Sequence, residues 1–512
     1  MGQIKDNSCR FNSSFSIYSH FVGKYISLLV KNGERYFKLK KGDNVLEDQI
    51  LALTADLAAV KSAAQVTNTM FAEMYYYVTI PLMVLIHAGF LLYEMGATRV
   101  KNVLSSGVKN LLAFAFTIAA WYLFGWWFYW ALPTWPLDLA AGAGYMEISG
   151  IGYANAIALP WGDSAQYMGP NMADNASGVF WGAFALFAAT TASIASGALI
   201  ERIQTVGFVI CAIVLGTAAW GIAAAWGWHA DGWLVTEFGY HDFGAAGLVH
   251  AVAGFFALGV LINLGPRVGK FNADGSANHL AGHNMPLTVT GLMLIIVGFF
   301  GFLMACIILP GEGWSWYADK GTTIYGTPMT LSALAFNVPL AAAGGIIGAW
   351  VVTRDPFWMM SGCLAGIISV ASGLDVYFGS TVIAVSMLAG MILKPCADWL
   401  EGLGIDDAVG CVTVHGTIGL FGVMMLGILG SGIPGLGAFA PDDTVAISIW
   451  GQFVGSIVMF LLGFVPGYVV SWIISKAGML RIPDAVQERG LDAVKVPARA
   501  YPEGMASPES ES

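Results

Sequence analysis

The sequence predicts an all-α polytopic membrane protein with eleven transmembrane helices, and three observations carry that expectation. Apolar residues make up 57% of the 512 and charged residues only 11%, where soluble domains carry roughly 25% charge. The mean hydropathy is +0.67. The apolar residues also gather into unbroken runs of the length a helix needs to cross about 30 Å of hydrocarbon, instead of alternating as barrel strands do. Too few charges remain to cover several solvated domains, so the solvent around most of the chain must be lipid. A net charge of −10 excludes a polybasic nucleic-acid binder. Six scattered cysteines without a CxxC pair indicate neither a disulfide framework nor a zinc site.

The runs fall at 72–92, 110–132, 177–200, 205–227, 244–265, 285–308, 329–353, 356–373, 376–396, 407–429 and 444–475. The eighth is the shortest and opens on Pro356. With 64 glycines in the chain, close approach of helix backbones is expected, as in other tightly packed membrane bundles. Residues 1–70 read as an N-terminal extension. Within it Leu46, Ile50, Leu53, Leu57, Val60 and Ala64 recur at alternating spacings of four and three. That is a short coiled-coil-like seam able to join subunits, although a plain surface helix gives the same pattern. Residues 71–477 form the transmembrane domain, with repeats at about 71–265 and 285–429 and a last helix at 444–475. Residues 478–512 are a polar tail ending in disorder.

Orientation follows from the basic residues between the runs. If the first run descends from outside, the inner set is Arg99, Lys101, Lys109, Arg202, Arg267, Lys270, Arg354, Lys394, Lys476, Arg481, Arg489, Lys495 and Arg499, against Lys320 alone outside. The expectation is N-terminus out and C-terminus in. The nine remaining basic residues lie before residue 70, where long segments obey the rule weakly.

Two segments repeat each other. Asp242 and His250 stand eight apart in DFGAAGLVHAVAGFF, and Asp407 and His415 stand eight apart in DAVGCVTVHGTIGLF. The alignment also matches Val249 with Val414, Gly254 with Gly419 and Phe256 with Phe421. An odd number of crossings separates the two helices, so the second copy is upside down, the plan of an inverted repeat. Each aspartate opens its helix, where a carboxylate caps free N–H groups. Eight residues of helix rise about 12 Å, which brings both histidines near the midplane of a core about 30 Å thick. An ionisable group there is costly and faces a cavity or a partner. Two imidazoles in contact form a proton relay, whereas a metal site needs further ligands that no carboxylate or thiol at that depth supplies. A single such histidine is more simply helix glue, and His87 in the first run keeps that packing reading. No Walker A motif and no nucleophile–base set stands out, so no enzyme, cofactor or metal is expected.

These segments resemble the ammonium transporter family (Amt/Mep/Rh). The likeness covers roughly residues 70–500 and includes KNVLSSG at 101–107, FAATTASIASGALIERI at 187–203, HNMPLTVTG at 283–291, GFFGF at 298–302 and IDDAVGCVTVHG at 405–416. GLDAVKVPARAYPE at 490–503 is similar to the family's cytoplasmic tail motif. The resemblance implies a homotrimer in the cell's inner or plasma membrane, with one pore per subunit for ammonium or ammonia. It assigns the pore and proton relay to His250 and His415, the gate to Phe187 and Phe302, and recruitment to Trp228, Asp242, Cys306 and Phe184. Phe299 and Asp407 line the pore in this reading, and Trp228 favours the Amt branch over the Rh branch. A PII-type signal protein on the cytoplasmic face is a candidate partner.

Several positions depart from the family pattern. The outer gate ring is replaced by Ala183, with Phe184 beside it. The usual tryptophan is Phe299, the asparagine after the inner gate ring is Leu303, the recruiting serine is Cys306, and Gly410 stands where many relatives carry an acid. These changes bear on external ammonium affinity. The resemblance implies electrogenic net transport, in which ammonium is recruited, deprotonated and passed as ammonia. The alternatives are an ammonium sensor that binds but conducts poorly and an Rh-like electroneutral ammonia channel.

Overall fold

Ten helices among the residues described by the computed structural model are long and apolar enough to cross a membrane. The described residues are 44–133, 176–229, 232–307, 331–433, 445–496, 498 and 500–501. Lys320, Arg499, residues 1–43, the interior of the loop expected at 133–176 and the end of the tail lie outside them.

In chain order the helices are α1 (Asn44–Ala97), α2 (Val103–Ala120, prolonged by a π turn at Trp121–Gly125 and by Trp126–Ala131), and α3 (Ala176–Ala198). Then come α4 (Thr205–Val214, a π turn at Leu215–Ala219, then Trp220–Gly227), α5 (a π turn at Ala246–Ala251, then Val252–Leu264), and α6 (Met285–Ala305). The second half holds α7 (Leu331–Thr353), α8 (Pro356–Ala371), α9 (Gly379–Gly402), α10 (a π turn at Val412–Thr417, then Ile418–Leu429) and α11 (Ile449–Lys476). No strand occurs among the described residues, only two isolated bridges.

Helix starts follow local chemistry. Asn284 accepts from the Leu287 N–H, Asp355 from those of Phe357 and Trp358, and Ser448 from that of Gly451, with Pro286 and Pro356 in the first turns of α6 and α8. Each side chain satisfies a donor that the first turn leaves free, and proline costs nothing there. At 16 residues, α8 is about 24 Å long, short of the bilayer core, and most of it is buried.

The chain divides into two compact units, Met1–Ala64 and Gln65–Ser512. In the first, Leu53, Leu57 and Val60 of the expected seam are exposed. The expected extension helix and first span are one continuous helix, because no glycine or proline interrupts residues 44–80. In the second unit α7 packs extensively on α8 and α9, and α5 on α11. A Cβ on Gly345 would stand 2.0 Å from the Gly362 carbonyl, so α7 and α8 touch through bare backbone. Leu111, Phe336, Trp450 and Ile473 remain largely exposed on the spans, as side chains facing lipid do.

The break between the first two runs differs from the sequence expectation. The first run, expected to end at 92, continues to Ala97 and takes in Glu94, while the second starts at Val103 and takes in Lys109. Lys109 is therefore not a connecting-loop cation. It is buried inside the bundle at 3.6 Å from Glu94, and each charge compensates the other where either alone would end an apolar run. Lys394, also expected in a connection, lies within α9.

Candidate functional site

Two helices running in opposite directions carry the site. Arg267, just past the end of α5, holds Asp406, just before α10, through two side-chain bonds of 2.9 Å. The opposite ends of the two helices meet where the Gln452 amide donates to the carbonyls of His241 and Val423. Between these points the backbones touch. A Cβ on Gly254 would lie 2.2 Å from the Gly416 nitrogen, and one on Gly419 would lie 2.4 Å from the Ala246 oxygen and 3.0 Å from the Ala251 nitrogen. Only glycine permits either approach, and the two contacts are equivalent positions of the two aligned segments.

Each helix begins in a π turn that contains its histidine. Such turns widen a helix and recur at functional sites. His250 Nδ1 and His415 Nδ1 are 3.0 Å apart, with ring centroids at 5.2 Å and planes 25° apart. One Nδ1 donates and the other accepts, so the two rings share a single proton along this line. His250 Nε2 is buried without a hydrogen-bond partner among the described residues.

Aromatic rings cover one side of the pair. Phe299 and Phe302 each lie 5.9 Å from His250. Phe302 meets Phe187 edge-on at 4.5 Å, and Phe187 meets Trp228 at 5.0 Å. Phe184 joins them, 5.9 Å from both Phe187 and Trp228. Sequence reasoning missed the rest of this cluster. Trp126 and Tyr129 pack on Phe184 at 5.7 and 4.8 Å, and Trp220 stacks on Phe187 at 6.1 Å. Nothing in a chain with 18 tryptophans and 30 phenylalanines singles these three out. His229, 5.5 Å from Tyr129, is pushed down to about 4 by burial, so it adds no positive charge at neutral pH.

Asp242 sits beside this cluster and is occupied. Its carboxylate accepts the N–H groups of Ala246, Gly247 and Leu248 at 2.8–2.9 Å, the Ser372 hydroxyl at 2.7 Å and the Tyr240 hydroxyl at 3.2 Å. Trp228 Nε1 donates to the Asp242 carbonyl at 2.7 Å. Cys306 turns its thiol back to the Phe302 carbonyl of its own helix, at 3.3 Å. Ser372 and the neighbouring pair His241–Asp375 (2.9 Å) also went unnoticed in the sequence, although Ser372 and Asp375, polar residues at the end of the eighth run, were the signal.

On the other side of the pair the rings thin out. Phe90 lies 6.3 Å from His415, and His415 lines a cavity of about 20 Å³ together with Tyr93, Glu94 and Ser361. Asp407 caps α10 through the N–H groups of Cys411 and Val412 at 2.9 and 2.7 Å. It caps the helix start and does not line that cavity. His87 lies apart from the pair, with its ring nitrogens 3.2 Å from Ser193 Oγ and 3.4 Å from Thr190 Oγ1. No group of three or more His, Cys, Asp or Glu side chains suited to a metal occurs among the described residues.

Beyond Asp407, loops and tail are tied by ions. Arg99 holds Glu201 at 2.5 Å, Arg267 holds Asp406, and Arg202 is buried against the Asp406 carbonyl. The tail folds back over them. Asp492 accepts from the N–H groups of Leu104 and Ser105, Leu491 donates to Asn102, and Tyr501 meets His283 at 2.9 Å.

The fold is that of an all-helical integral membrane protein built around two antiparallel helices with apposed histidines. The chain belongs to the Ammonium Transporter Family, which matches residues 74–501, a family of transporters rather than enzymes. It is 28% identical over 444 residues to an ammonium transporter Amt2 of Archaeoglobus fulgidus, covering 82% of this chain and 86% of that one. To an Amt2 of Methanocaldococcus jannaschii it is 28% identical, with 90% and 99% covered. Among solved structures it is similar to a sensor Amt protein (TM-score 0.68, 23% identity, 84% and 99% covered). It is also similar to Mep2 of Candida albicans (0.61, 19%, 81% and 86%). These structural likenesses extend the fold.

Proposed function

We propose that the chain moves ammonium across a cell's inner or plasma membrane through a pore centred on His250 and His415. It works there as a homotrimer of eleven-span subunits, N-terminus out and C-terminus in, each built as an inverted repeat. The short helix α8 is the eighth span, wrapped by its neighbours, and residues 1–70 and 478–512 flank the transport domain. The observation that carries the reading is the 3.0 Å contact between the two buried Nδ1 atoms, with Phe302 beside His250 and Phe187 packed edge-on against Phe302. The equivalent contacts of Gly254 and Gly419 support the inverted repeat.

The energetics favour deprotonation at the rings. A charge at the centre of a bilayer costs at least about 2.5–3.5 kcal/mol, while aromatic faces return about 0.5–2 kcal/mol to a cation. Trp228, Phe184 and Phe187 therefore hold ammonium at the rim, and Asp242 shapes that rim without a free lone pair for the ion. Ammonia continues past Phe302, Phe299 and the unpartnered His250 Nε2. The released proton crosses by the histidine pair, because a shared proton that shifts from one Nδ1 to the other transfers charge without moving an ion. Net transport is electrogenic. The described part of the tail, held by Asp492 against Leu104 and Ser105, is the docking face for a PII-type signal protein in this reading.

The test is an ammonium pulse on proteoliposomes adsorbed to a solid-supported membrane. Wild type gives a sustained current that His250→Ala and His415→Ala lose. Ammonium binding without current identifies a sensor, and ammonia flux without current an electroneutral channel; either overturns the proposal.

A further inference from the structure

The cavity beside His415 has room for about one water, and Glu94 is the acid that lines it. The two oxygens of this buried carboxylate differ. Oε2 accepts from Asn110 Nδ2 and from Ser196 Oγ, both at 2.8 Å, and faces Lys109 Nζ at 3.6 Å. Oε1 has no hydrogen-bond partner among the described residues. It lies next to Gly197, 3.6 Å from where a Cβ would stand, and Gly197 lines the same cavity. Lys109 does not consume the carboxylate either, since its short bond, 2.8 Å, goes to the Ser196 carbonyl. A buried carboxylate oxygen without a donor is costly and persists where a water or a transferable proton meets it. Tyr93, Cys411 and His415 are the other titratable groups lining this space, and Lys109 faces Glu94 on its Oε2 side.

We propose that Glu94 is the proton acceptor on the far side of the histidine pair, reached from His415 through one water in this cavity. The proposal rests on the pore reading above and adds where its proton goes. A proton arriving at His250 Nε2 lets the shared proton shift onto His415 Nδ1, and the proton on His415 Nε2 leaves through the water to Glu94 Oε1. One proton enters and one leaves, both rings stay neutral, and Glu94 becomes a neutral acid. Protonated Glu94 no longer offsets Lys109, which drives the proton onward.

The test uses the full chain in proteoliposomes. Glu94→Gln is expected to lower the ammonium-induced current about a hundredfold, as removal of a positioned proton-transfer group does, and Glu94→Asp to keep a measurable part of it. Infrared difference spectra of wild type on an ammonium pulse are expected to contain a protonated-carboxyl band that Glu94→Gln lacks. A wild-type current in Glu94→Gln overturns the proposal, as does a wild-type spectrum without the band. A missing wild-type current, or one that survives His250→Ala, overturns the pore reading instead.

Discussion

The two approaches to the histidine pair are built from opposite materials. On the Asp242 side, Trp228, Phe184, Phe187, Phe302, Trp126, Tyr129 and Trp220 press ring against ring, and Asp242 has five donors on its carboxylate. On the other side lie a cavity, a buried carboxylate with an open oxygen, a buried lysine and, beyond them, a cluster of arginines and acids. Rings attract a cation weakly and admit no water. Carboxylates and water carry protons. The asymmetry teaches that two aligned helices with matching histidines can share a local geometry yet serve different steps, because the surroundings of the two copies differ.

The largest effect is expected at the ionic end. Asp406 accepts three hydrogen bonds from Arg267, including that of its backbone N–H, and also faces Arg202. Asp406→Asn leaves two buried guanidiniums short of a counter-charge, and breaking such a pair costs about 3–5 kcal/mol. Thermal melting in detergent reads this as a large drop. The pH dependence follows. Burial pushes Asp406 up, but Arg202 and Arg267 more than offset it and hold it below the usual carboxylate range; Arg267 and Arg99 do the same for Glu201. A depressed native value means stability present above the unfolded value of about 4 and lost as pH falls below it. Wild type should therefore lose melting temperature below about pH 4 more steeply than Asp406→Asn. Equal melting of the two proteins at neutral pH removes this end's structural role.

Much of this was legible in the sequence. Aspartate and histidine are rare in an apolar chain, so two Asp–His pairs at one spacing stand out, and the inverse direction of their helices follows from counting runs. The cluster of Glu94, Lys109 and Asn110 was not legible, because hydropathy ends a span at the first charge and cannot see that two charges on different helices cancel. Nor was the ring cluster fully legible. Trp126 and Tyr129 look like any interfacial aromatics until Phe184 packs on them. Asp242 could be read as a cap, yet its partners Ser372 and Tyr240 come from a distant helix end and from its own loop, where no periodicity points.

The aromatic end gives the next effect. Trp228→Leu removes one ring face from the rim, which costs a bound cation about 0.5–2 kcal/mol, or about a twofold to thirtyfold higher half-saturating ammonium concentration. Trp228→Phe keeps a ring but loses the bond to the Asp242 carbonyl, so its shift should be smaller. If Leu and Trp at this position saturate at the same concentration, the ion does not pause at this ring and the cluster is only packing.

The smallest effect separates recruitment from packing at Cys306. A thiol is a weak donor and a weak acceptor, and this one already points back to the Phe302 carbonyl. Its neighbours leave little else for a cation, since Tyr75 and Tyr76 donate their hydroxyls to the Met304 and Ile307 carbonyls. A serine hydroxyl keeps the same bond to Phe302 and still presents an oxygen lone pair to the rim. One added hydrogen bond is worth about 0.5–1.5 kcal/mol, so Cys306→Ser is expected to lower the half-saturating ammonium concentration about twofold to tenfold with the maximal current unchanged. The stability change should be slight, because the side chains are nearly isosteric. An unchanged concentration dependence would mean that the ion passes position 306 without contact, and recruitment would then rest on the rings alone.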